Sequence, residues 1–484
     1  MSLKVKATSG LFWTLVQQFG YQGINFVVQL LLARILLPEA FGVVALLQIF
    51  ISVGNNLIDS GMASSLIRNK DVDERDYSTV FYLNISVAII LYLMMFVASP
   101  FIASFYNMPI LTDVIKVYCT SFVINAFSII QITQLTKEMK FKKQMLIQLP
   151  SLIVSGVISL ILAYFGWGVW SIVAYNLLRN ILASLQYWLA SKWRPKLIFD
   201  IEKLKYHFNF GYKLTIASLL NSVYDNIYGV VIGKAFSPQI LGYYNRAEMF
   251  QLFPSKNIST ALEKVTYPMF AQIQDDNEKL KKYYRQIFNL VVFFLTPTMV
   301  LLSVVSEPLF RFLLTEKWLP MVPYFQILTV VGVLHPFQRY NVNILRVKGR
   351  SDLVLKLNII RKVVLTLSIV IAVRYGIYGI LISECVYSII CVFLNTMYSS
   401  ALINYSLKEQ IKDVIGIYVL AVLIGYGIYL FDKNIMYLLP DVFRVLVGMI
   451  LGYITYFGVA YLLKFEIIYI IRNFIKERKN NGKK

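Results

Sequence analysis

Long apolar runs, each about as long as a membrane is thick, are the feature that most limits how this chain can fold. Fourteen such segments, about 20 to 30 residues each, follow one another along the 484 residues. An α-helix needs about 20 apolar residues to cross a ~30 Å hydrocarbon layer, whereas the strands of a membrane β-barrel are alternating segments of about 10 residues. A single soluble core stops growing at about 250–300 residues. The sequence therefore predicts an all-α polytopic membrane protein with about 14 transmembrane helices.

Residues that break helices set approximate limits for the segments, within about 2–4 residues. The first segment follows Lys4 and Lys6, but it is too long for the apolar core of a signal peptide and has no small-residue cleavage site, so we expect a retained membrane helix. The segment 240–270 is the most polar. The predicted spans are 9–35, 41–62, 80–105, 112–136, 145–165, 168–190, 208–233, 240–270, 286–306, 320–345, 357–375, 377–401, 413–431 and 441–463.

Basic residues mark one side of this topology. If the N-terminus lies in the cytoplasm, 33 of the 47 lysines and arginines fall in cytoplasmic loops and ends, and about 8 fall on the opposite side. Because cytoplasmic loops carry an excess of Lys and Arg, we expect both termini in the cytoplasm. The net charge of +21 is scattered over short loops and forms no basic stripe on a soluble domain, which argues against nucleic acid as a partner.

A short motif occurs twice, 200 residues apart. The basic residue, the proline and the glycine of Arg34–Gly42 match Lys234, Pro238 and Gly242. Both copies join two spans on the same predicted side, so the repeat starts again after six spans. Parallel repeats of this kind occur in transporters, with the substrate site between the halves. The predicted parts are a lobe with its cytoplasmic connector, 1–207, a second lobe, 208–402, two further helices within 403–464, and a basic cytoplasmic tail, 465–484.

Cysteines and histidines are too few and too scattered for a metal centre. Cys119, Cys385 and Cys391 lie in apolar segments without the spacing of a metal or redox motif. The chain has only two histidines, His207 and His335. We therefore expect buried thiols, no metal and no cofactor.

Ionisable residues inside the predicted spans are the candidate functional groups. A charge near the bilayer centre costs at least ~2.5–3.5 kcal/mol on insertion scales, so each needs a partner or a wet cavity. Their concentration on the seventh and eighth spans predicts an aqueous cavity lined by those two helices. The intramembrane charges are Asp59, Arg179, Lys213, Asp225, Arg246, Glu248, Lys256, Glu263, Lys264, His335, Arg339 and Glu384.

The bases in this set favour an anionic substrate. Arginine binds phosphate through a planar fork and lysine adds a point charge, so Arg246, Lys256 and Arg339 are candidate ligands of a lipid diphosphate. Lys213 is a fourth candidate, although it is also close enough to a span end to snorkel to the interface. Asp225 and Glu384 are either ion-coupling residues or structural counter-charges. From the residues alone, the inference ends at a transporter for an anionic or amphiphilic molecule.

Several segments together resemble a known family. Asp225–Ala247 and Val265–Asp276 are similar to the lipopolysaccharide and O-antigen flippases of the polysaccharide-transporter type, and so are Glu316–Trp318, Lys348–Asp352 and the Arg34–Gly42 turn. The resemblance implies the fold of the multidrug/oligosaccharidyl-lipid/polysaccharide exporters: two six-helix lobes around a central cavity plus two C-terminal helices. It also implies translocation of an undecaprenyl-diphosphate-linked oligosaccharide across the bacterial inner membrane for O-antigen, capsule or exopolysaccharide assembly, by alternating access.

Two other functions remain open at this stage. A multidrug antiporter of the same fold would have an anionic cavity, whereas the intramembrane bases here match or outnumber the acids. A membrane-embedded polysaccharide polymerase would need a large outer loop or a catalytic domain, and the sequence has no metalloprotease, serine-hydrolase or ATP-binding motif. We therefore expect no enzyme activity. The expected partners are the lipid-linked oligosaccharide and membrane lipids, with polysaccharide polymerase machinery as a further candidate.

Overall fold

The computed structural model describes residues 20–469, without the side chains at positions 257, 260–265 and 268. The described chain is helical and contains no strand. By its contacts it divides into two compact units, Met1–Gly242 (unit 1) and Tyr243–Lys484 (unit 2). The predicted start of the first span, most of the predicted C-terminal tail, and the side chains of Glu263 and Lys264 lie outside the described part. The predicted lobe boundaries at 207 and 402 stay a prediction.

Eighteen α-helices follow one another in the described chain up to residue 462, joined by short loops and three 3₁₀ turns, and residues 466–469 are helical again. The first ten are α1 (20–35), α2 (Pro38–Asp59), α3 (Met62–Arg68), α4 (Glu74–Tyr106), α5 (Ile110–Tyr118), α6 (Thr120–Lys137), α7 (Phe141–Tyr164), α8 (Val169–Ala190), α9 (Ile201–Asp225) and α10 (Ile227–Ala235). The others are α11 (Pro238–Gln272), α12 (Asn277–Val304), α13 (Ser306–Leu314), α14 (Val322–Val347), α15 (Ser351–Ala372), α16 (Gly376–Ile403), α17 (Leu407–Asn434) and α18 (Asp441–Leu462).

The order of helix lengths repeats along the chain. In α4–α8, a long helix is followed by a nine-residue helix, α5, and then by three spans. The same succession recurs in α12–α16, where α13 again has nine residues. Helices α17 and α18 follow the second succession and have no counterpart after the first. This order agrees with a fold of two six-span repeats and two appended helices.

Nine helical stretches of the described chain are long and apolar enough to cross a membrane. One of them, Ser351–Ile403, contains two predicted spans, so the nine account for ten of the fourteen. The remaining predicted spans are the first, which is only partly described, and those at α8, α9–α10 and α11. Helices α8 and α11 form over the predicted ranges but are less apolar than those nine stretches, and α9 and α10 divide the seventh span between them.

The structure differs from the sequence prediction at the seventh span. Instead of one continuous helix over 208–233, α9 ends at Asp225 and α10 begins at Ile227. The Asn226 side chain donates to the carbonyl of Ser222 at 2.7 Å, a local bond that competes with the helix ladder. The candidate residue Asp225 therefore lies at a break inside a predicted span. Irregular backbone at membrane depth is tolerated only inside the protein or along a water-filled cavity.

Unit 2 is held together by a polar cluster buried among four helices. Asn341 of α14 donates to Thr396 of α16 at 3.0 Å and to the Gln410 side chain of α17 at 3.1 Å. Its carbonyl oxygen accepts from Tyr284 of α12 at 3.1 Å and from Ser399 of α16 at 2.7 Å. All five side chains are buried. Because each polar atom of Asn341 is used, the cluster fixes the register of four helices at once.

Replacing Asn341 by alanine should destabilise unit 2 strongly. The change leaves Tyr284, Ser399 and Gln410 with lost partners, and each buried orphan costs ~1–3 kcal/mol. We expect the purified Asn341→Ala protein to melt several degrees below the parent in a detergent thermal-shift assay. The control is Thr366→Ala, since the exposed Thr366 hydroxyl bonds only its own helix. Equal melting temperatures for the Asn341 variant and the parent would contradict this account.

Candidate functional site

The two copies of the repeated motif contact each other in unit 1. A Cβ atom added to Gly42 would lie 1.8 Å from the carbonyl oxygen of Pro238, and one added to Gly242 would lie 2.0 Å from the carbonyl oxygen of Pro38. Only glycine permits backbones to approach this closely. We call these four residues the turn contact. The prolines begin α2 and α11, so the turn contact joins the starts of equivalent helices in the two repeats.

The last two turns of α2 carry polar contacts. Asn56 donates to the Ser222 hydroxyl of α9 at 2.6 Å. The neighbouring Asn55 accepts from Asn125 of α6 at 3.4 Å. At the end of α2, the Asp59 carboxylate accepts from the backbone N–H of Ala63 at 3.2 Å. These contacts tie the end of α2 to α6 and α9 through half-buried polar groups.

The predicted site residues of unit 1 are exposed. Lys213 extends from α9 beside the ring of Tyr212, 5.8 Å from its centre. Asp225 is exposed at the end of the same helix. Arg179, the other base predicted inside a span of this unit, lies 5.7 Å from the centre of the Tyr175 ring. Partial exposure of Lys213 is compatible both with a substrate contact and with snorkelling.

A buried ionic network at the far end of α2 was not anticipated from the sequence. His207 Nε2 lies 3.0 Å from Asp76 Oδ1, and His207 Nδ1 lies 2.7 Å from the Ser65 hydroxyl. Lys203 donates to the other oxygen of Asp76 at 3.0 Å. Ser65, Asp76 and His207 are buried. We call these four residues the latch; they connect α3, α4 and α9.

Hydrogen bonds at the margin of the latch favour the charged forms of Lys203 and Asp73. The hydrogen bond with Asp76 raises the pKa of Lys203. At the start of α4, the backbone N–H of Asp76 donates to Asp73 and lowers the pKa of that carboxyl. The connector before α9 adds two bonds: the backbone N–H groups of Lys196 and Asp200 donate to Ser78 and Thr79 at 3.1 and 3.0 Å.

In unit 2, one face of α11 carries a polar stripe. Tyr244, Gln251, Ser255 and Ser259 recur at helical spacing along that face and are all buried. Tyr244 donates to the Glu384 carboxylate of α16 at 3.1 Å, and Ser259 lies 3.2 Å from His335 Nδ1 of α14. The stripe therefore faces α14 and α16.

Three of the predicted site residues gather at this stripe. Lys256 and Arg339 are both close enough to His335 to act on it electrostatically. Glu384 is the acceptor of Tyr244 and lies close enough to Glu248 for their charges to interact. His335, Lys256 and Arg339 therefore lie near Ser259 at one part of the stripe, and Glu384 and Glu248 lie near Tyr244 at another. This arrangement could orient a ligand that has an anionic and a polar end.

Arg246 is the most buried of the predicted bases. It is only 5% exposed, and its guanidinium donates to the Met249 sulfur at 3.2 Å. Arg361 of α15 lies within the predicted span 357–375 but was not counted among the intramembrane charges, and it interacts with Tyr387 and Cys391 of α16. Its position ten residues after the start of an apolar helix could have identified it as an intramembrane charge. In the described part of the chain, no group of His, Cys, Asp and Glu is arranged to hold a metal.

The turn contact yields a direct test. Gly42→Ala and Gly242→Ala should each force the starts of α2 and α11 apart, because the blocking atoms are backbone carbonyls. We expect each variant to lower the melting temperature and the transport activity. The losses in the double variant should be clearly smaller than the sum of the two single losses, because both substitutions break the same contact. Gly229→Ala is the control, since nothing lies within 4 Å of a Cβ atom there. Additive losses would mean that the two glycines act separately.

Comparisons with known proteins agree with this architecture. The model of a family described as "Polysaccharide biosynthesis protein" matches residues 31–323. The lipopolysaccharide biosynthesis protein WzxC of Escherichia coli is 27% identical over 77% of this chain and 76% of its own length. The teichuronic acid biosynthesis protein TuaB of Bacillus subtilis is also 27% identical, over 74% of each chain.

Solved structures show the same fold. The lipid II flippase MurJ in its inward closed conformation superposes with a TM-score of 0.74, covering 95% of this chain and all of that one, at 16% identity. An inward-facing MATE multidrug resistance transporter of the MOP superfamily gives a TM-score of 0.59, covering 80% of this chain and 96% of that one, at 19% identity. The predicted multi-pass helical fold and the resemblance to polysaccharide flippases are confirmed.

Proposed function

Because this chain belongs to the polysaccharide biosynthesis protein family, we propose that it is a flippase for undecaprenyl-diphosphate-linked oligosaccharide repeat units. It acts in the bacterial inner membrane, with both termini in the cytoplasm, as the bias of 33 against about 8 basic residues favours. The product serves O-antigen, capsule or exopolysaccharide assembly. The observation that carries the proposal is the gathering of Lys256, Arg339 and His335 beside a polar helix face in a family of polysaccharide transporters.

The proposed roles follow from the chemistry of the groups. Lys256, Arg339 and Arg246 bind the diphosphate, because guanidinium and ammonium groups make charge-assisted bonds to phosphate oxygens. The amide and hydroxyl groups of the polar stripe on α11 take the sugar hydroxyls. Lys213, in unit 1, stays a separate candidate from the sequence. The isoprenoid tail stays in lipid, where each buried CH₂ contributes ~0.8 kcal/mol.

Glu384 has a separate proposed role. A carboxylate beside Glu248 and hydrogen-bonded by Tyr244 can take up a proton or sodium ion as its neighbours change. The same pair of acids is also the observation that favours a second candidate, a cation-coupled drug antiporter. Asp225 is a further candidate for ion coupling because it lies at the helix break.

Flipping is tested in a strain that lacks this gene and retains its glycan assembly genes. We expect complete lipid-linked repeat units to accumulate on the cytoplasmic leaflet, inaccessible to a membrane-impermeant glycan probe, and to become accessible when the gene is restored. Units that reach the outer leaflet normally without the gene would overturn the flippase proposal. Increased drug sensitivity of that same strain would then support the antiporter.

The role of Arg246 is tested by a matched pair of substitutions. Arg246→Ala should lower flipping about tenfold or more at equal protein level, because loss of a charge-assisted contact to phosphate costs ~1.5–3 kcal/mol. Arg246→Lys should retain part of the activity. Arg311→Ala is the control: that arginine is paired with Glu307 and Asp441 and should leave flipping within about twofold of the parent. Full activity of Arg246→Ala would remove this residue from the site.

A further inference from the structure

We propose that the latch of Ser65, Asp76, Lys203 and His207 is a switch that opens one end of unit 1 by releasing α9. This proposal rests on the proposed transport function, since only a transporter needs that end to open. Nothing in the sequence comparison assigns a role to these residues. The argument starts from how α9 is attached.

Helix α9 is held by a very narrow stripe. Of its 25 residues, only His207, Gly211 and Thr215 are buried, and they recur every four positions along one face. Apolar side chains elsewhere on the helix, such as Phe208 and Ile216, are more than half exposed. A buried Leu or Phe contributes ~1.5–3 kcal/mol, and this stripe contains none. Leu204 at the start of α9 packs against a small apolar cluster, and the rest of the attachment of α9 to unit 1 depends on polar contacts.

The latch provides the strongest of those contacts. The Asp76 carboxylate accepts from Lys203, from His207 and from the backbone N–H of Asp73 at 2.9 Å. With Nε2–H donating to Asp76, His207 can accept the Ser65 hydroxyl proton at Nδ1. Buried charge-assisted bonds of this kind are worth more than exposed ones, and they are lost together when the helix separates.

A crossing of two glycines lies one helical turn away from His207. A Cβ atom on Gly211 would lie 2.2 Å from the carbonyl of Ser60, and one on Gly61 would lie 2.5 Å from the carbonyl of Gly211. The two backbones touch there with no side chains interlocked. Such a surface closes tightly but separates without repacking, so the latch is what keeps it closed.

The position of the latch gives the switch a direction. Helix α2 has 22 residues, about 33 Å, with the turn contact at its start and the glycine crossing just beyond its end. The turn contact consists of glycine and proline backbone, whereas the latch end is ionic. A molecule can pass along α2 in alternating access only if one end separates while the other holds. The latch end lies on the side that we propose to be cytoplasmic.

The experiment measures access to a cysteine placed beyond the latch. Ser222→Cys lies eleven residues, about 16 Å, past Gly211 on α9. It is introduced into a protein whose Cys119, Cys385 and Cys391 have been replaced. Its labelling by a membrane-impermeant maleimide is measured in inside-out and in right-side-out vesicles. Added substrate is not required, so the result does not depend on the proposed glycan.

We expect Asp76→Asn and His207→Ala to raise the labelling rate from the latch side on the order of tenfold, the population shift that loss of a charge-assisted bond produces. Labelling from the other side should not rise. Asp413→Asn is the matched control, because it removes another poorly exposed carboxylate, paired with Arg285 in unit 2, and should change neither rate. Unchanged labelling in folded Asp76 and His207 variants would overturn the proposal and leave the network a structural contact.

Two milder variants decide the question if those proteins do not fold. Ser65→Ala removes only one bond of the latch, and Gly211→Val drives α9 away from Ser60 without touching the ionic groups. Both should raise labelling from the latch side. If both variants fold and neither raises the labelling rate from the latch side, the proposal is wrong. If labelling rises in these variants while lipid-linked units still cross the membrane in the deletion strain, the switch stands and the proposed flippase function fails.

Discussion

A polar side chain in the hydrocarbon layer is stable only if the protein itself supplies its partner, and this constraint shapes both units. In unit 2, Asn341 satisfies every one of its polar atoms with groups from three other helices. In unit 1, Asp76 collects three donors at the end of the apolar region. The helices that carry these groups are mostly apolar, so each polar side chain lies on the face that packs against a neighbouring helix.

Close backbone contact is the second means of holding these helices together. Where Gly42 meets Pro238 and Gly61 meets Gly211, the chains approach closer than any side chain permits. Lipid tails are as apolar as leucine, so helices in a membrane gain little from burying apolar surface against each other and rely on fit instead. At the Gly61–Gly211 crossing no side chains interlock, so the latch beside it holds the two helices together.

The sequence was sufficient for the fold class because span length and charge bias are properties of single segments. The repeated motif was also readable, since Pro38 and Gly42 recur at a constant offset. The latch was not predicted, because His207 lies 142 residues from Ser65 and 131 from Asp76, and each looks like an ordinary loop residue near a span end. Arg361 was not singled out, because a basic residue near the start of a predicted span resembles part of a cytoplasmic loop.

The contrast between the two units bears on how a transporter of this fold can move. Two conformations exchange readily only when they differ by a few kcal/mol, because the minor state must remain populated. The Asn341 cluster ties four helices into one body, and opening it would strand several buried polar groups at once. Helix α9 buries three residues in twenty-five, so it can detach by breaking one polar network. A conformational change therefore costs the least free energy where a helix buries the least apolar surface, and α9 is such a helix.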